Sequence, residues 1–142
     1  MELKFKRLNS RAELPRKAHA TDAGLDLTVT SFSMDHKANT IQYGFGLAVE
    51  IPAGHVGLLF PRSSVYKTGL TLTNCVGVID SGYRGEIKAV FASYDRFHCD
   101  AYSIGERACQ LIVMPIPDVE TTWEDELSDS DRGEGGYGST GR

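Results

Sequence analysis

The stretch Asn74-Cys-Val-Gly-Val-Ile-Asp-Ser-Gly-Tyr-Arg-Gly-Glu-Ile87 places the carboxylate of Asp80 between β-favouring residues and glycines. The residues before Asp80 favour extended backbone, Ser81-Gly82 is a turn signal, and an alternating run begins at Lys88. The pattern predicts a hairpin with Asp80 at its mouth. Because glycine carries no side chain, the backbone of such a hairpin can approach a flat heterocycle closely. The alternative is a tight surface hairpin in which Asp80 only bonds turn amides.

The length and charge of the chain limit its class. The 142 residues fit one domain with a single core, and the net charge of −4 is spread along the sequence. No basic face of the kind that holds DNA or RNA is apparent, so we expect no nucleic-acid polymer as a partner. The three cysteines, Cys75, Cys99 and Cys109, form no CxxC pair, and the histidines form no HExxH motif. A zinc site is therefore not expected.

The amino terminus, Met1-Glu-Leu-Lys-Phe-Lys-Arg-Leu8, alternates apolar and charged side chains and lacks the apolar stretch of a signal peptide. It predicts a first strand. No apolar run approaches the length of a membrane span. We therefore expect a soluble protein of a reducing compartment, with no membrane partner. The expected location is the cytoplasm, or the host-cell cytoplasm if the source is viral.

Most of the patterned segments are short strands that end in turns. Period-two alternation runs from residue 24 to 30, and a buried central strand is predicted within residues 105 to 115. The runs 40–51 and 55–60 are predicted to form a hairpin or a neighbouring pair. Only Pro61-Arg-Ser-Ser-Val-Tyr-Lys-Thr-Gly-Leu70 fits a short helix, capped by one of its serines and stopped by its glycine. The sequence thus predicts an all-β, antiparallel sandwich or jelly roll with one short helix.

Two places outside the central stretch carry chemistry. Arg62, Ser63 and Ser64 at the predicted helix start could converge on phosphate oxygens, although two serines before a helix also serve as caps alone. Asp26 lies in or beside a strand. It is either an inward carboxylate that needs a partner or metal, or an outward, solvated one. Gln110 is either satisfied by backbone groups or a ligand contact.

From residue 119 the composition becomes acidic and then glycine-rich, ending in Arg132-Gly-Glu-Gly-Gly-Tyr-Gly-Ser-Thr-Gly-Arg142. This end cannot pack a core. It lacks the GK[ST] of a Walker A loop. A flexible arm that orders over a ligand and a simple disordered tail are both compatible with the composition. We therefore divide the chain into a β domain, residues 1–118, and a linker with a glycine-rich arm, residues 119–142.

Taken together, five segments resemble the motifs of the trimeric dUTP pyrophosphatase (dUTPase) family, in the family's order and over almost the whole chain. They are Ala23-Gly-Leu-Asp-Leu27, Pro61-Arg-Ser-Ser64 with Gly69-Leu70, Gly77-Val-Ile-Asp-Ser-Gly-Tyr-Arg-Gly-Glu-Ile87, Gly105-Glu-Arg-Ala-Cys-Gln110, and Arg132-Gly-Glu-Gly-Gly-Tyr-Gly-Ser-Thr-Gly141. The resemblance implies a β-clip jelly roll. It also implies a homotrimer with active sites at subunit interfaces.

The resemblance implies the following site. Asp80 is the general base and contacts the 3′-hydroxyl, Tyr83 packs on the deoxyribose and excludes a 2′-hydroxyl, and Asp26 holds water ligands of Mg²⁺. Arg107 is expected to be structural. The uracil and deoxyribose are bound by Asn74, Gly77, Val78, Ile79, Tyr83, Lys88 and Tyr137. The phosphates are bound by Arg62, Ser63, Ser64, Gln110, Arg132, Gly138, Ser139 and Thr140.

The implied activity is hydrolysis of dUTP to dUMP and pyrophosphate, with attack of an Asp80-activated water on the α-phosphate. It lowers dUTP and supplies dUMP for dTMP synthesis. Two departures from the family pattern are mild: Tyr137 stands where the aromatic is usually Phe or His, and Cys109 replaces a residue that is usually alanine. A dCTP deaminase on the same fold and a non-catalytic, nucleotide-binding regulatory module remain as alternatives.

Overall fold

Short β-favouring runs separated by turn residues become antiparallel strands in the computed structural model, which describes residues 1–94 and 101–136. Within that part the strands are Lys4–Arg7 (β1), Leu25–Thr28 (β2), Ser31–Asp35 (β3), Thr40–Gly44 (β4), Leu47–Glu50 (β5), His55–Pro61 (β6), Leu70–Leu72 (β7), Gly77–Ile79 (β8), Lys88–Ser93 (β9) and Arg107–Pro115 (β10). The helical segment among them is a 3₁₀ helix, Ser63–Lys67.

The strands form one small and two larger sheets. The order in the larger sheets is β2-β10-β6-β8 and β3-β4-β9-β7, and β1 pairs with β5 in the small sheet. Every pairing between the named strands is antiparallel. The predicted all-β, antiparallel class is therefore confirmed.

The two larger sheets share one core. Leu27 and Leu111 come from the first sheet, Tyr43 and Phe91 come from the second, and all four are buried. The rings of Tyr43 and Phe91 meet edge to face with centroids 5.7 Å apart, a geometry that aromatic quadrupoles favour. Alternate residues of each strand therefore close a sandwich.

The central stretch is not the simple hairpin that the turn signal predicted. β8 pairs with β6 in the first larger sheet, whereas β9 pairs with β4 and β7 in the second. The hairpin prediction is wrong because the connection from residue 80 to 87 is long enough to pass from one sheet to the other. The loop thus spans the edge of the sandwich.

The run 40–51 was also misassigned, because it is two strands rather than one. Gly46, with a φ of +64°, turns the chain between β4 and β5, a conformation that glycine adopts without steric cost. The strand β5 then pairs with β1, and β6 pairs with β10 and β8. The predicted pairing of the two runs is therefore wrong.

The strand β10 is an interior strand, as predicted, but it is not buried along its whole length. Leu111 is fully buried, whereas Met114 is 45% exposed. After β10, no residue from 116 to 136 belongs to a strand or helix, and all of them except Gly135 are exposed. None of the helical segments in the described ranges could cross a bilayer.

Candidate active site

The loop between β8 and β9 borders a cleft of about 250 Å³. Seven residues line this one cleft: Asn74, Gly77, Val78, Ile79, Asp80, Tyr83 and Lys88. The sequence predicts Asp80 as the general base and the other six as contacts of uracil or deoxyribose. Gly77 and Ile79 are buried in β8, and Val78 between them is exposed. The backbone of an edge strand therefore forms one wall of the cleft.

Asp80 is exposed, and no hydrogen bond from residues 1–94 or 101–136 reaches its carboxylate. The turn that follows is closed by the main chain, because the N–H of Tyr83 donates to the carbonyl of Asp80 at 3.0 Å. The alternative in which the Asp80 side chain bonds the turn amides is therefore not realised. A free carboxylate at the edge of a cleft can accept a proton from a bound water.

Tyr83 is held across the loop. Its hydroxyl donates to the carbonyl of Glu86 at 3.0 Å, and a Cβ atom on Gly85 would overlap its phenol group. Glycine at position 85 is thus what lets the ring lie down on the loop. The side chain remains 46% exposed, so part of the ring is available to a ligand in the cleft.

Two residues that sequence reasoning passed over hold this loop. Oε1 of Glu86 accepts from the N–H of Gly46 at 2.9 Å, and its Oε2 lies 3.5 Å from Nζ of Lys88. Nη1 of Arg84 donates to the carbonyls of Ser81 and Tyr83 at 2.7 and 2.9 Å. Of these contacts, only the Glu86–Lys88 ion pair had a signal in the sequence, because side chains two residues apart lie on the same side of an extended chain.

Asp26 is the centre of a second cluster. Nε of Arg62 donates to its Oδ1 at 3.0 Å, and Nη1 of Arg107 donates to its Oδ2 at 2.8 Å. The Asp26 side chain is only 15% exposed. The outward, solvated alternative is therefore wrong, and the carboxylate has the partners that burial requires.

A β-bulge makes this cluster possible. Gln110 lies opposite Asp26 and Arg107 lies opposite Thr28, with a register shift between Arg107 and Cys109. In a regular strand, residues 107 and 110 would point to opposite faces, because side chains alternate. The extra residue in the bulge puts both on the face of Asp26. No residue type near position 108 indicates this irregularity.

Gln110 is fixed by backbone and by a close approach. Its Nε2 donates to the carbonyl of Pro61 at 3.3 Å, as in the alternative of backbone satisfaction. A Cβ atom on Gly24 would overlap the Gln110 side chain. Glycine at position 24 therefore makes room for the Gln110 side chain, which lies next to the strand that carries Asp26.

The two serines of the second motif do not cap the helix. The 3₁₀ helix begins at Ser63, the N-cap position is Arg62, and no side chain makes a cap bond. The predicted cap is wrong because the serines lie inside the first turn. Gly69 follows the helix with a φ of +67°, so the predicted stop is confirmed. Ser63 is exposed and Ser64 is half-buried.

The glycine-rich end is described only as far as residue 136. Nε of Arg132 donates to the carbonyl of Gly135 at 2.9 Å, within its own turn. Tyr137, Gly138, Ser139 and Thr140 lie outside the described residues.

Strand geometry separates the two clusters within one chain. Ile79 pairs with Gly57, so Asp80 lies level with Val56 on β6. Arg62 follows the other end of β6, six residues further on, and a strand rises about 3.3 Å per residue. The Asp80 and Arg62 backbones are therefore about 20 Å apart.

The fold and the clusters define a jelly-roll protein with a cleft beside β8 and a separate cluster of Asp26 with two arginines. The family model of dUTPase matches residues 10–141. The deoxyuridine 5′-triphosphate nucleotidohydrolase of Corynebacterium glutamicum is 38% identical over 99% of this chain and 95% of its own length. That of Corynebacterium jeikeium is 41% identical over 98% and 92%. The chain belongs to the dUTPase family, a family of nucleotide hydrolases.

Solved structures agree with this assignment. A mutant of the Staphylococcus bacteriophage 80alpha dUTPase with dUpNHpp superposes with a TM-score of 0.87 at 28% identity, covering 99% of both chains. A mutant dUTPase of phage phi11 of S. aureus, described with the coordination of a structural Mg(II) ion, has a TM-score of 0.75 at 25% identity. It covers 89% of this chain and 99% of its own.

Proposed function

We propose that the protein hydrolyses dUTP to dUMP and pyrophosphate. The observation that carries the proposal is the cleft between β8 and the loop after it, where a free carboxylate and a fixed tyrosine ring meet exposed strand backbone. The relatives named above act on dUTP according to their names, and the phage structure contains a dUTP analogue. Both support the same substrate.

The cleft is suited to deoxyuridine. Backbone groups of β8 and the amide of Asn74 can bond the edge of uracil, and the narrow wall leaves little room for a methyl group at its position 5. The Tyr83 ring, held by Gly85 and the carbonyl of Glu86, packs on the sugar and occupies the space of a 2′-hydroxyl. This arrangement favours dUTP over dTTP and UTP.

The chemical step uses Asp80. Its carboxylate takes a proton from a water that attacks the α-phosphorus, a new P–O bond forms, and the bond between the α-phosphorus and the bridging oxygen breaks. The electron pair leaves with pyrophosphate. Arg62, Ser63, Ser64 and Gln110 stabilise the charge on the phosphate oxygens. Asp26 acts on them by holding Arg62 in place.

The site requires more than one subunit. A base and a phosphate cluster about 20 Å apart in one chain cannot reach the same α-phosphate, because an arginine side chain spans only about 7 Å from its Cα atom. We therefore assign the cleft of one subunit and the Asp26 cluster of another to one nucleotide. The family resemblance, which implies a homotrimer, supports this assignment.

The end of the chain completes the site in this proposal. Residues 119–142 act as a linker and arm outside the β domain of residues 1–118. Arg132, Gly138, Ser139 and Thr140 bind the phosphates, and Tyr137 stacks on uracil. Residues 116–136 are exposed apart from Gly135, so the linker is free to reach a neighbouring subunit. Closure of the arm excludes water from the phosphates.

The residues around Asp26 suit a Mg²⁺ ion that is held mainly by the phosphates of the nucleotide. No group of three or more His, Cys, Asp or Glu side chains gathers within the described ranges, and Mg²⁺ commonly keeps water ligands and binds substrate phosphates. Each Asp26 oxygen accepts one hydrogen bond from arginine and has a lone pair left for a metal-bound water. The ion, when bound, neutralises phosphate charge.

The test is to incubate the purified protein and its Asp80→Asn variant with dUTP, UTP, dTTP and dCTP in Mg²⁺. We expect dUMP and pyrophosphate from dUTP, with the other nucleotides turned over far more slowly. The isosteric variant should bind dUpNHpp but lose a factor of about 10² to 10⁴ in rate. Equal turnover of UTP and dUTP, or ammonia release from dCTP, would contradict the assignment.

A further inference from the structure

The side chain of Tyr102 belongs to the buried core and carries a polar hydroxyl. Tyr102 is 8% exposed, and its Oη is the one buried side-chain oxygen or nitrogen left without a hydrogen bond across residues 1–94 and 101–136. Such a group costs stability, and each instance in a folded protein calls for a reason. A phenylalanine at this position would avoid the cost.

The ring of Tyr102 is held firmly by its neighbours. It meets the rings of Tyr43 and Phe91 edge to face, with centroids 5.8 and 6.1 Å away. Its main-chain N–H donates to the hydroxyl of Tyr43 at 3.0 Å. The hydroxyl of Tyr102 is therefore presented from a rigid platform and cannot move far to find a partner.

Ser64 is the candidate partner of the Tyr102 hydroxyl. Tyr102 and Ser64 line the same cavity of about 410 Å³ beside the 3₁₀ helix. Burial and the Cys109 thiol raise the pKa of Tyr102 above 10.0, while the Ser64 hydroxyl and Arg62 act in the opposite direction. The phenol therefore stays protonated at neutral pH and lies next to Ser64, outside the geometry of a formed hydrogen bond.

We propose that Tyr102 is a positioning residue of the phosphate site, whose hydroxyl donates to Oγ of Ser64 when Ser64 donates its own proton to a phosphate oxygen of the nucleotide. The inference rests on the proposed function, because it assigns Ser64 to the phosphates. A serine hydroxyl has one proton, so binding a phosphate fixes its rotamer and leaves its lone pairs free. A donor behind it strengthens the bond to the phosphate.

In this proposal the hydroxyl of Tyr102 gains its hydrogen-bond partner when nucleotide binds. The hydroxyl then lowers the stability of the free protein and raises its affinity for the nucleotide. Removing the hydroxyl should therefore move stability and affinity in opposite directions, which a purely structural role would not do.

The test compares Tyr102→Phe, Ser64→Ala and the double variant with the parent trimer. For Tyr102→Phe we expect an unchanged or higher Tm, a kcat within about twofold, and a rise of about threefold to tenfold in KM for dUTP and in Kd for dUpNHpp, the worth of one hydrogen bond. Ser64→Ala should also raise both constants. Tyr102→Phe should add nothing to it, because the two residues act in series.

Tyr66→Phe is the matched control, since it removes a solvent-facing hydroxyl from the same helix, where Tyr66 is 74% exposed. It should leave all constants unchanged. Parent-like KM and Kd for Tyr102→Phe would overturn the inference, and so would effects that add fully to those of Ser64→Ala. The proposed function fails separately, if the parent itself does not hydrolyse dUTP. The dUpNHpp affinities would still decide the role of Tyr102 in that case.

Discussion

Replacing Asp26 with asparagine tests the cluster of Asp26, Arg62 and Arg107, to which we assign the positioning of the phosphate site. The change keeps the shape of the side chain but removes its charge, and it turns one oxygen that accepts from an arginine into an NH₂ group. That NH₂ would face a guanidinium donor. One of the two hydrogen bonds, to Arg62 at 3.0 Å or to Arg107 at 2.8 Å, is therefore lost outright.

The magnitude follows from the exposure of each partner. The Arg62 side chain is 30% exposed, so its charge-assisted bond is worth about 2 kcal/mol. The Arg107 side chain is 48% exposed, and solvent screening reduces its pair to about 0.5 kcal/mol. Asparagine keeps one neutral acceptor, which can stay with Arg62, so the exposed Arg107 pair is lost and the Arg62 bond loses its charge assistance. We expect Asp26→Asn to lower the free energy of unfolding by about 1.5 kcal/mol. For a chain of this size this is a fall in Tm of about 4 °C.

The assay is thermal unfolding at one fixed subunit concentration, because the Tm of an oligomer depends on concentration. It is done with EDTA and again with Mg²⁺. Glu50→Gln is the control, since its pair with Lys4 at 3.3 Å joins side chains that are 50% and 67% exposed. That variant should lose less than about 1 kcal/mol.

Two results would refute the reasoning. If Asp26→Asn unfolds at the temperature of Glu50→Gln, the arginine pairs do not stabilise the fold. If the loss occurs only with Mg²⁺ present, the carboxylate acts through the metal and not through the arginines. Otherwise the Tm falls equally in both buffers, and kcat/KM for dUTP falls because Arg62 has lost its support.

Gly85, Cys109 and the glycine-rich arm each offer a separate test. Gly85→Ala should displace the Tyr83 ring and narrow the preference for dUTP over UTP, measured as a ratio of kcat/KM, with little change in Tm; an unchanged ratio would count against the ring as the filter. Burial raises the pKa of Cys109 from 9.0 to about 12. The unfolded thiol therefore ionises first above pH 9, and the fold loses about 1 kcal/mol by pH 10; the unfolding free energy of Cys109→Ala should lack this part of the alkaline fall. Mixed trimers of Asp80→Asn with a chain ending at residue 131 should regain activity, and hybrids that form but stay inactive would exclude an arm acting in trans.

Local chemistry determined much of the fold and could be anticipated. The alternation in β1 and β2, the interior position of β10 and the stop at Gly69 follow from patterns within a few residues of each element. Pairing between strands could not be anticipated. Extended runs are alike in composition, and their partners depend on contacts distant in sequence. The turn predicted within residues 80–87 is therefore correct, whereas the predicted pairing of the strands on either side of it is wrong.

The site shows the same division. The residues of the cleft lie close together in the sequence, so a continuous motif located seven of them. The partners of Asp26 do not, and Arg107 reaches it only because of the bulge in β10. A bulge depends on backbone register, for which no residue type is diagnostic here. Glu86 was passed over for a related reason, because its role lies in the hydrogen bond that its carboxylate accepts from the distant N–H of Gly46.

Under the proposed function, the separation of Asp80 from the proposed phosphate residues within one chain means that assembly must complete the site. Asp80 and Arg62 lie toward opposite ends of β6, and the extended strand holds them at a fixed distance. A rotated copy can present its Arg62 end beside the Asp80 end of its neighbour, and repetition of that contact closes a ring. Each Tyr83 cleft is then completed by residues that its own chain holds about 20 Å away. Activity in this arrangement depends on association, so an isolated subunit would keep its fold and its uracil cleft while lacking a phosphate site.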